Sequence, residues 1–536
     1  MLISAFRPVI SGGITALCAF AMAVAFGSLR AEAQVTPFAQ SLAEAAADDA
    51  DVAAFYRERD YAPLWTTAAD SERRAAFLTA LENAGGHGLP VSRYEAPVLR
   101  QAFLDARSEG DRGRLEVQLS KAFLQYAHDV QTGALDPASI DPGIVRDVHR
   151  RSRLGLLRNF ATARPAGFLR ALPPQSIEYA QLKKARYDLQ ALIAHGGWGP
   201  RVTANSLKPG DEGAPVVQLR NRLIAMGYMP RSATQSYDAT MQAAVQRFQA
   251  DHGLTPDGVA GEGTVAEINV DPSERLKSVI VALERERWMN FDRGQRHVWV
   301  NLADFTAKII DDGKVTFESR SVVGKNAGDT RSPEFSDVME YMVVNPTWNV
   351  PRSIVTKEYL PMLQKNPNAA GHLRITDSRG RVVDRGAVDF TQFSARSFPF
   401  AMSQPPSSRN ALGLVKFMFP NKHNIYLHDT PQKSLFDREV RAFSHGCIRL
   451  ADPFGFAYAL LARQSSDPRG LFKSYLDTGR ETQLPLQQTV PVHLVYFTAV
   501  PTARGEMTYR RDVYGRDARI FDALSEAGVV LPALQG

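Results

Sequence analysis

Hydrophobic residues in the first third of the chain recur three and four positions apart, which is the spacing of one helix face. The clearest examples are Phe77, Leu78, Leu81, Leu119, Phe123, Tyr126 and Ala127. Segments rich in glycine and proline at 85–90 and 172–174 interrupt the pattern and are typical of loops. We expect residues 34–200 to form a helical scaffold domain, and no catalytic motif stands out in that region.

A separate group of short helices is predicted for residues 201–270. Residues 216–226 carry an apolar stripe that ends at a glycine. Asp238 can cap a second helix, and residues 264–268 form a third after a turn-rich segment. The pattern predicts a three-helix bundle, followed by one strongly periodic linking helix at 271–294.

The spacing of apolar residues changes near residue 295, from the helical period to the alternation of a strand. The strand-like segments are 297–302, 308–310, 339–344, 413–419, 425–428 and 492–496. Asp312-Gly313 adds a hairpin signal. The predicted fold class is α+β and multi-domain, with helices first, a mainly-β domain at 295–500 and a C-terminal segment at 501–536.

Residues 355–410 interrupt the predicted strands with a segment rich in proline, serine, glycine and charge. Its one helical pattern spans 355–365. A stretch of this length between strands is usually a lid, a binding loop or a subdomain. We expect it to form a capping insertion over a groove of the β domain.

The first 33 residues have the pattern of a secretory signal peptide. Arg7 precedes an apolar run at 14–26, and Ala31-Glu32-Ala33 supplies the small residues of a cleavage site. The run is shorter than the roughly 20 residues of a membrane span. We therefore expect export, with an uncleaved anchor as the alternative and peripheral association with the inner membrane left open.

Charge and cysteine content narrow the classes of partner. The formal net charge of +6 suits an anionic polymer such as a cell wall, a nucleic acid or a lipid surface. Export argues against nucleic acid, and so does the lack of a basic run with interleaved aromatic residues. Cys447 is the only cysteine after the predicted signal peptide, so it is either buried and inert or a free, reactive thiol.

The strongest chemical signal is the sequence Ser-His-Gly-Cys at 444–447, with His428 lying 19 residues before the cysteine. A thiol attacks as the thiolate, and a neighbouring imidazole is the usual means of forming it at neutral pH. We expect Cys447 to be the nucleophile, ionised by His428 as proton acceptor and donor. Gly446 can free its amide for an oxyanion, and the carbonyl or carboxylate of Asp429 can orient the imidazole.

These residues resemble the signature of the L,D-transpeptidase family, in which a histidine precedes Ser-His-Gly-Cys, an apolar residue and Arg or Asn. The likeness is most specific at 425–450. Segments at 55–65, 285–288 and 345–351 resemble those of the large multi-domain Gram-negative members. The bundle at 201–270 resembles the three-helix peptidoglycan-binding domain family.

In that family the thiol forms a thioester with a peptidoglycan stem peptide. The resemblance implies catalytic roles for Cys447, His428, Gly446, Tyr426, His445 and Asp429 and substrate contacts for Arg449, Ser444, Asn345 and Trp348. It implies 3→3 cross-linking of stem peptides in cell wall biogenesis and cell shape, in the periplasm, with stem peptides as partners. It also implies no metal or organic cofactor, and acylation of the same thiol by carbapenems.

The roles of several residues stay open. His445 could tune the thiolate, donate to the oxyanion or only pack. Arg449 could hold a substrate carboxylate or form a structural ion pair. A zinc site made from His428, His445 and Cys447 lacks a further ligand at short spacing.

Three other functions fit parts of the pattern. The same site could hydrolyse stem-peptide or protein–wall bonds, and the bundle could make the chain a wall-binding protein without catalysis. A papain-like protease is disfavoured because the thiol follows its histidine and lacks the local Cys-Gly-x-Cys-Trp pattern. The products formed from cell wall fragments separate these functions.

Overall fold

The computed structural model describes residues 35–531. The predicted signal peptide, residues 1–33, lies outside the described residues. Among the described helices, none combines the length and the apolarity needed to cross a membrane.

Helices build the described chain before residue 200. They are α1 (Pro37–Ala46), α2 (Ala50–Glu58), α3 (Ser71–Glu82), α4 (Ala96–Asp105), α5 (Glu109–Thr132), α6 (Pro137–Ile140), α7 (Arg153–Thr162), α8 (Pro165–Arg170) and α9 (Ile177–Ala194). Trp65 is fully buried in their core. Its ring packs on Phe77, Phe123 and Phe160 at centroid distances of 5.2, 6.0 and 5.4 Å.

Three helices and one long connecting helix follow. They are α10 (Ala214–Ala225), α11 (Ala239–Asp251), α12 (Glu262–Ile268) and α13 (Pro272–Trp288). Asp238 caps α11 by accepting the N–H of Met241 at 2.9 Å. Helix α13 packs against α5 and α9, which joins the scaffold to the remainder of the chain.

Strands dominate from residue 296 onwards. They are β1 (Arg296–Asn301), β2 (Thr306–Asp311), β3 (Lys314–Gly324), β4 (Phe335–Val344), β5 (Trp348–Asn349), β6 (Arg374–Thr376), β7 (Ala401–Gln404), β8 (Val415–Met418), β9 (Leu427–His428), β10 (Ala442–Ser444), β11 (Ile448–Leu450), β12 (Thr482–Val495), β13 (Ala499–Pro501) and β14 (Met507–Tyr509). The α+β fold class, with a helical region followed by a mostly-β domain, is confirmed.

Nine of these strands form one sheet in the order β10-β3-β11-β9-β8-β4-β12-β1-β2. Because β2 also pairs with β3, the sheet curves back on itself around an apolar core. The pairs β9–β11, β3–β10 and β1–β12 are parallel. Helices α14 (Arg352–Ile354), α15 (Leu360–Lys365), α16 (Pro453–Leu461), α17 (Pro468–Leu476) and α18 (Arg516–Glu526) complete the chain.

The segment predicted to be a cap has a small core of its own. Strands β5, β7 and β6 form a separate three-stranded sheet. Helices α14 and α15 are joined by a π-helical turn, Val355–Tyr359. Leu363, Phe390 and Met402 are buried between the sheet and these helices. Wide turns of this kind interrupt helices frequently at functional sites.

A cluster of buried charges ties the C-terminal segment to α13 and to the start of β4. Arg285 of α13 reaches Glu334, just before β4, at 2.5 Å and Asp517 of α18 at 2.9 Å. Arg516 binds the other oxygen of Glu334 at 3.3 Å. All four side chains are at most 8% exposed. The last described helix is therefore fixed against the sheet by ion pairs rather than by apolar packing alone.

Candidate active site

The parallel pairing of β9 with β11 assembles the candidate site. Arg449 pairs with His428, and Ile448 N–H donates to Tyr426 O at 3.0 Å, so Cys447 lies opposite Tyr426. Paired residues of a sheet share a face, and every second residue returns to it. The side chains that share one face are Tyr426, His428, Cys447 and Arg449.

The Cys447 thiol is half-buried, and its Sγ donates to the carbonyl of Asn424 at 3.5 Å. Burial raises the pKa of the thiol to about 11. Hydrogen bonding with Tyr426 and the positive charges of Arg449 and Lys416 favour the thiolate, but they do not overcome burial. The neutral thiol is therefore the resting form at pH 7.

His428 is only 4% exposed, and its Nδ1 bonds to the carbonyl of Asp429 at 2.5 Å. A carbonyl only accepts, so Nδ1 carries the hydrogen and Nε2 is the acceptor. Burial, followed by the charge of Arg449, lowers the pKa of His428 to about 3. Burial therefore favours the neutral forms of both groups in the resting site, and transfer of the Cys447 proton to His428 stays a prediction.

The carboxylate of Asp429 has other partners. Its oxygens accept the N–H groups of Leu414 at 2.9 Å and Thr430 at 2.7 Å, and the ammonium of Lys433 at 2.7 Å. A side chain at Gly413 would place its Cβ 2.2 Å from this carboxylate. Of the two acceptors predicted to orient the imidazole, the carbonyl occupies the position, and the carboxylate fixes the loops on either side.

Gly446 adopts a φ of +116°, a conformation that residues with a side chain rarely reach. Its N–H donates to Ser444 Oγ at 3.1 Å, and that hydroxyl donates to Cys447 O at 2.6 Å. The predicted use of the Gly446 amide for an oxyanion is therefore corrected, because the amide is already paired with Ser444. Within residues 35–531, no acceptor pairs with the N–H of Cys447, which leaves that amide available.

Two cations flank the thiol. Arg449 donates from Nη1 to Gln432 at 2.6 Å, while its buried Nε has no partner among the described residues. Lys416 lies opposite His428 in the β8–β9 pair, and its Nζ is 5.9 Å from the centre of the Tyr426 ring. Burial lowers the pKa of Arg449 and of Lys416. Sequence analysis missed Lys416, although a lysine inside an apolar strand is a recognisable signal.

His445 points away from the thiol-bearing face and towards the cap. Its Nε2 lies 2.5 Å from Glu358, in the π-helical turn. A second link joins the neighbouring Lys357 to Asp329 at 2.7 Å. Within the described chain, no three His, Cys, Asp or Glu side chains gather as metal ligands. These contacts join the Ser-His-Gly-Cys loop and the segment between β3 and β4 to the insertion at 355–410. That the insertion caps the site stays a prediction.

Asn345 and Trp348 take structural positions. The amide of Asn345 is 4% exposed and donates to the carbonyls of Tyr475, Leu476 and Arg480 at 3.3, 3.0 and 3.4 Å. These bonds anchor the end of β4 to the segment at α17, which corrects the predicted substrate contact of Asn345. Trp348 packs edge-on against the ring of Tyr359 at 6.4 Å, within the core of the cap. Its substrate contact stays a prediction.

Three family models match consecutive parts of the chain. Residues 50–185 match the scaffold domain, residues 212–268 match a family described as "Putative peptidoglycan binding domain", and residues 295–464 match the L,D-transpeptidase catalytic domain. The matched regions give no support to an association with the inner membrane.

A Haemophilus influenzae protein named "Putative L,D-transpeptidase" is 32% identical over 225 residues, which are 42% of this chain and 45% of that protein. The chain thus spans less than half the length of this relative. L,D-transpeptidase structures from Xylanimonas cellulosilytica and Stackebrandtia nassauensis are each 15% identical and cover 55% of this chain, and 98% and 96% of their own. Their TM-scores are 0.17 and 0.20.

The sheet, the Ser-His-Gly-Cys loop and the preceding histidine strand define a catalytic domain of the L,D-transpeptidase class. Residues 295–464 thus match the L,D-transpeptidase catalytic domain, and matches to a scaffold domain and to a putative peptidoglycan-binding domain precede them in the chain.

Proposed function

We propose that the protein forms 3→3 cross-links between peptidoglycan stem peptides through a thioester on Cys447. The observation that carries this proposal is the arrangement of the thiol, the free Cys447 amide and the Nε2 acceptor of His428 around one strand pair. A thiol, a proton acceptor and an oxyanion donor are the groups that acyl transfer requires.

The first step transfers the donor peptide to sulfur. Cys447 leaves its contact with Asn424 and passes its proton to Nε2 of His428 as sulfur bonds to the carbonyl carbon of residue three of a tetrapeptide stem. The Cys447 N–H stabilises the oxyanion, and the Tyr426 hydroxyl beside the thiol can assist. The C–N bond then breaks, and D-alanine leaves with the proton that His428 returns.

The second step releases the enzyme. The side-chain amine of diaminopimelate on another stem attacks the thioester carbonyl, and His428 accepts a proton from that amine. The new C–N bond replaces the C–S bond, and the proton returns to Cys447. Water in place of the amine would give hydrolysis, so exclusion of water by the cap decides the product.

Charge around the thiol supports an anionic substrate. Arg449 offers an unpaired Nε, and Lys416 adds a second cation on the same side of the sheet. Stem peptides end in a carboxylate, which a guanidinium binds by charge-assisted hydrogen bonds. We assign Arg449 to the donor carboxylate, with Lys416 reinforcing the local positive potential.

The other domains support a cell wall substrate. The peptidoglycan-binding family match at 212–268 precedes the catalytic domain, and Tyr509 of β14 stacks on His252 beside α11 at 5.8 Å. Binding of a glycan strand by this domain would raise the local concentration of stem peptides at Cys447. We propose that the protein acts in the periplasm, after removal of the signal peptide.

The test uses purified disaccharide tetrapeptides and product analysis by mass spectrometry. The native protein is expected to form dimers with loss of one D-alanine per bond, and Cys447→Ser to form none. Tripeptides without dimers would identify a hydrolase in place of a transpeptidase. Equal products from the native protein and Cys447→Ser would contradict catalysis at this thiol.

A further inference from the structure

Ser332 lies behind the Ser-His-Gly-Cys loop, in the segment between β3 and β4, and is fully buried. Its Oγ accepts the N–H of Gly324 at 2.9 Å and donates to the carbonyl of Gly446 at 2.6 Å. The hydroxyl therefore both accepts and donates a hydrogen bond, and one of its partners is the peptide group that precedes Cys447.

We propose that Ser332 is a positioning residue that aims the Cys447 N–H at the oxyanion. The carbonyl of Gly446 and the N–H of Cys447 belong to one planar trans peptide, so they point in opposite directions. By holding that carbonyl on the buried side, Ser332 turns the N–H towards the side where a substrate carbonyl would lie. The inference rests on the proposed function only in taking Cys447 as the sulfur that is acylated.

The backbone at Gly446 makes such a restraint necessary. A glycine at φ +116° has access to conformations that other residues lack, so its peptide can rotate at low cost. The Gly446 N–H is held by Ser444, but this bond fixes the preceding peptide and not the one shared with Cys447. Among the described residues, Ser332 is the group that binds the Gly446 carbonyl.

The C-terminal segment holds Ser332 in place. Arg516 donates from Nη2 to the carbonyl of Ser332 at 3.0 Å, and the Ser332 N–H donates to the hydroxyl of Tyr514 at 3.3 Å. Tyr514 in turn donates to the carbonyl of Gly324 at 2.5 Å. Both residues follow the matched catalytic domain at 295–464. A segment outside that domain thus supports its oxyanion site.

The experiment compares two reactions of the same sulfur in the full chain. Acylation by p-nitrophenyl acetate or a carbapenem passes through an oxyanion, whereas alkylation by iodoacetamide does not. Ser332→Ala is expected to slow acylation by about 10- to 100-fold, less than the roughly 100- to 1,000-fold cost of losing an oxyanion donor outright, and to change alkylation by less than about twofold. Ser332→Thr retains a hydroxyl and is expected to restore much of the acylation rate.

The control is Ser321→Ala, a fully buried serine of β3 whose hydroxyl has no partner among the described residues. It should leave both rates unchanged. Tyr514→Phe, which keeps the ring, is expected to lower acylation by a few-fold and to spare alkylation. These variants separate positioning from a general loss of folding.

Equal acylation of Ser332→Ala and native protein would overturn the inference and leave the proposed function intact. A parallel fall in acylation and alkylation would also overturn it, because that result indicates structural damage. Native protein that is alkylated at Cys447 but never acylated would defeat the proposed function and the inference together.

Discussion

The ion-pair cluster between α13 and α18 and the site around Cys447 are both rich in polar groups. The two regions differ in how these groups are paired within the protein. Each carboxylate oxygen of Glu334 and Asp517 accepts a hydrogen bond from an arginine or from Thr498. At the site, the Cys447 N–H and the Arg449 Nε have no hydrogen-bond partner among the described residues. The Arg516 Nε of the cluster also lacks one, but it lies 3.7 Å from the carboxylate of Asp141.

This difference indicates which region has a structural role and which is a candidate for catalysis. Buried charges that are mutually paired fix the relative positions of elements, and removing one partner exposes the other to a large desolvation cost. Polar groups left unpaired beside a half-buried thiol cost stability unless a substrate binds them. The ion-pair cluster therefore fixes α13, α18 and the β domain to one another, and the unpaired groups around Cys447 are where we expect a substrate to bind.

Breaking the ion-pair cluster should have the largest effect on stability. Arg285→Met leaves two buried carboxylates without their shared cation, and we expect a loss of about 3–5 kcal/mol. Urea unfolding followed by circular dichroism measures it. Lys473→Met removes an exposed pair with Asp477 and should change nothing measurable. A loss below about 1 kcal/mol in Arg285→Met would contradict the structural role.

The resting state of the thiol predicts a steep pH dependence of alkylation. Since burial raises the pKa of Cys447 to about 11, the thiolate fraction should rise about tenfold per pH unit from pH 7 to 10. Iodoacetamide rates should rise by about a thousandfold over that range, whereas urea-unfolded protein should level off near the ordinary thiol pKa of about 8.5. A flat rate from pH 6 to 9 in the folded protein would indicate a preformed thiolate–imidazolium pair.

Removing the guanidinium of Arg449 tests whether an unpaired group at the site binds substrate. Arg449→Met should lower kcat/KM for a tetrapeptide donor by about 10- to 100-fold, mainly through KM, because it removes a carboxylate contact. Arg449→Lys should retain part of the binding as a point charge. Unchanged KM in Arg449→Met would assign this arginine to structure alone.

The link between His445 and the cap should have the smallest effect. Glu358→Gln weakens the contact of Glu358 with His445, and we expect the ratio of hydrolysed to cross-linked product to rise by a few-fold. Glu340→Gln, an exposed position on β4, is the matched control. Deletion of 355–410 tests the same idea more severely. An unchanged product ratio in both variants would indicate that the cap does not exclude water from the thioester.

Local patterns predicted much of the fold. Asp312-Gly313 forms the turn between β2 and β3, and both residues adopt the positive φ of a tight turn. Asp238 caps α11, as its sequence pattern predicted, by accepting the N–H of Met241 at 2.9 Å. Helical periodicity also predicted α13. In each case, residues a few positions apart determine the structure.

Several strands escaped prediction, among them β3 and β11, whose patterns are weak. Strand β3 begins with exposed residues on both faces, so it lacks the alternation of a half-buried strand. Strand β11 has three residues and directly follows the Ser-His-Gly-Cys loop. The bond of Ser444 to the Gly446 amide does have a local signal, since a serine two residues before an amide often forms such a turn.

Local sequence patterns did not predict the long-range contacts. Ser332 meets Gly446 across 114 positions, and Tyr514 meets Gly324 across 190. Nothing in the local sequence relates these residues, because only the closure of the sheet brings them together. The neutral resting state of Cys447 and His428 has the same origin, since burial by distant elements sets both pKa values.

The most direct test of the whole account is the intact mass of the protein after brief incubation with a tetrapeptide donor and no acceptor. We predict a covalent adduct equal to the donor minus D-alanine, localised by peptide mapping to Cys447 and absent in Cys447→Ser. Cross-linked products formed by a protein that never carries this adduct, or an adduct that persists in Cys447→Ser, would contradict it.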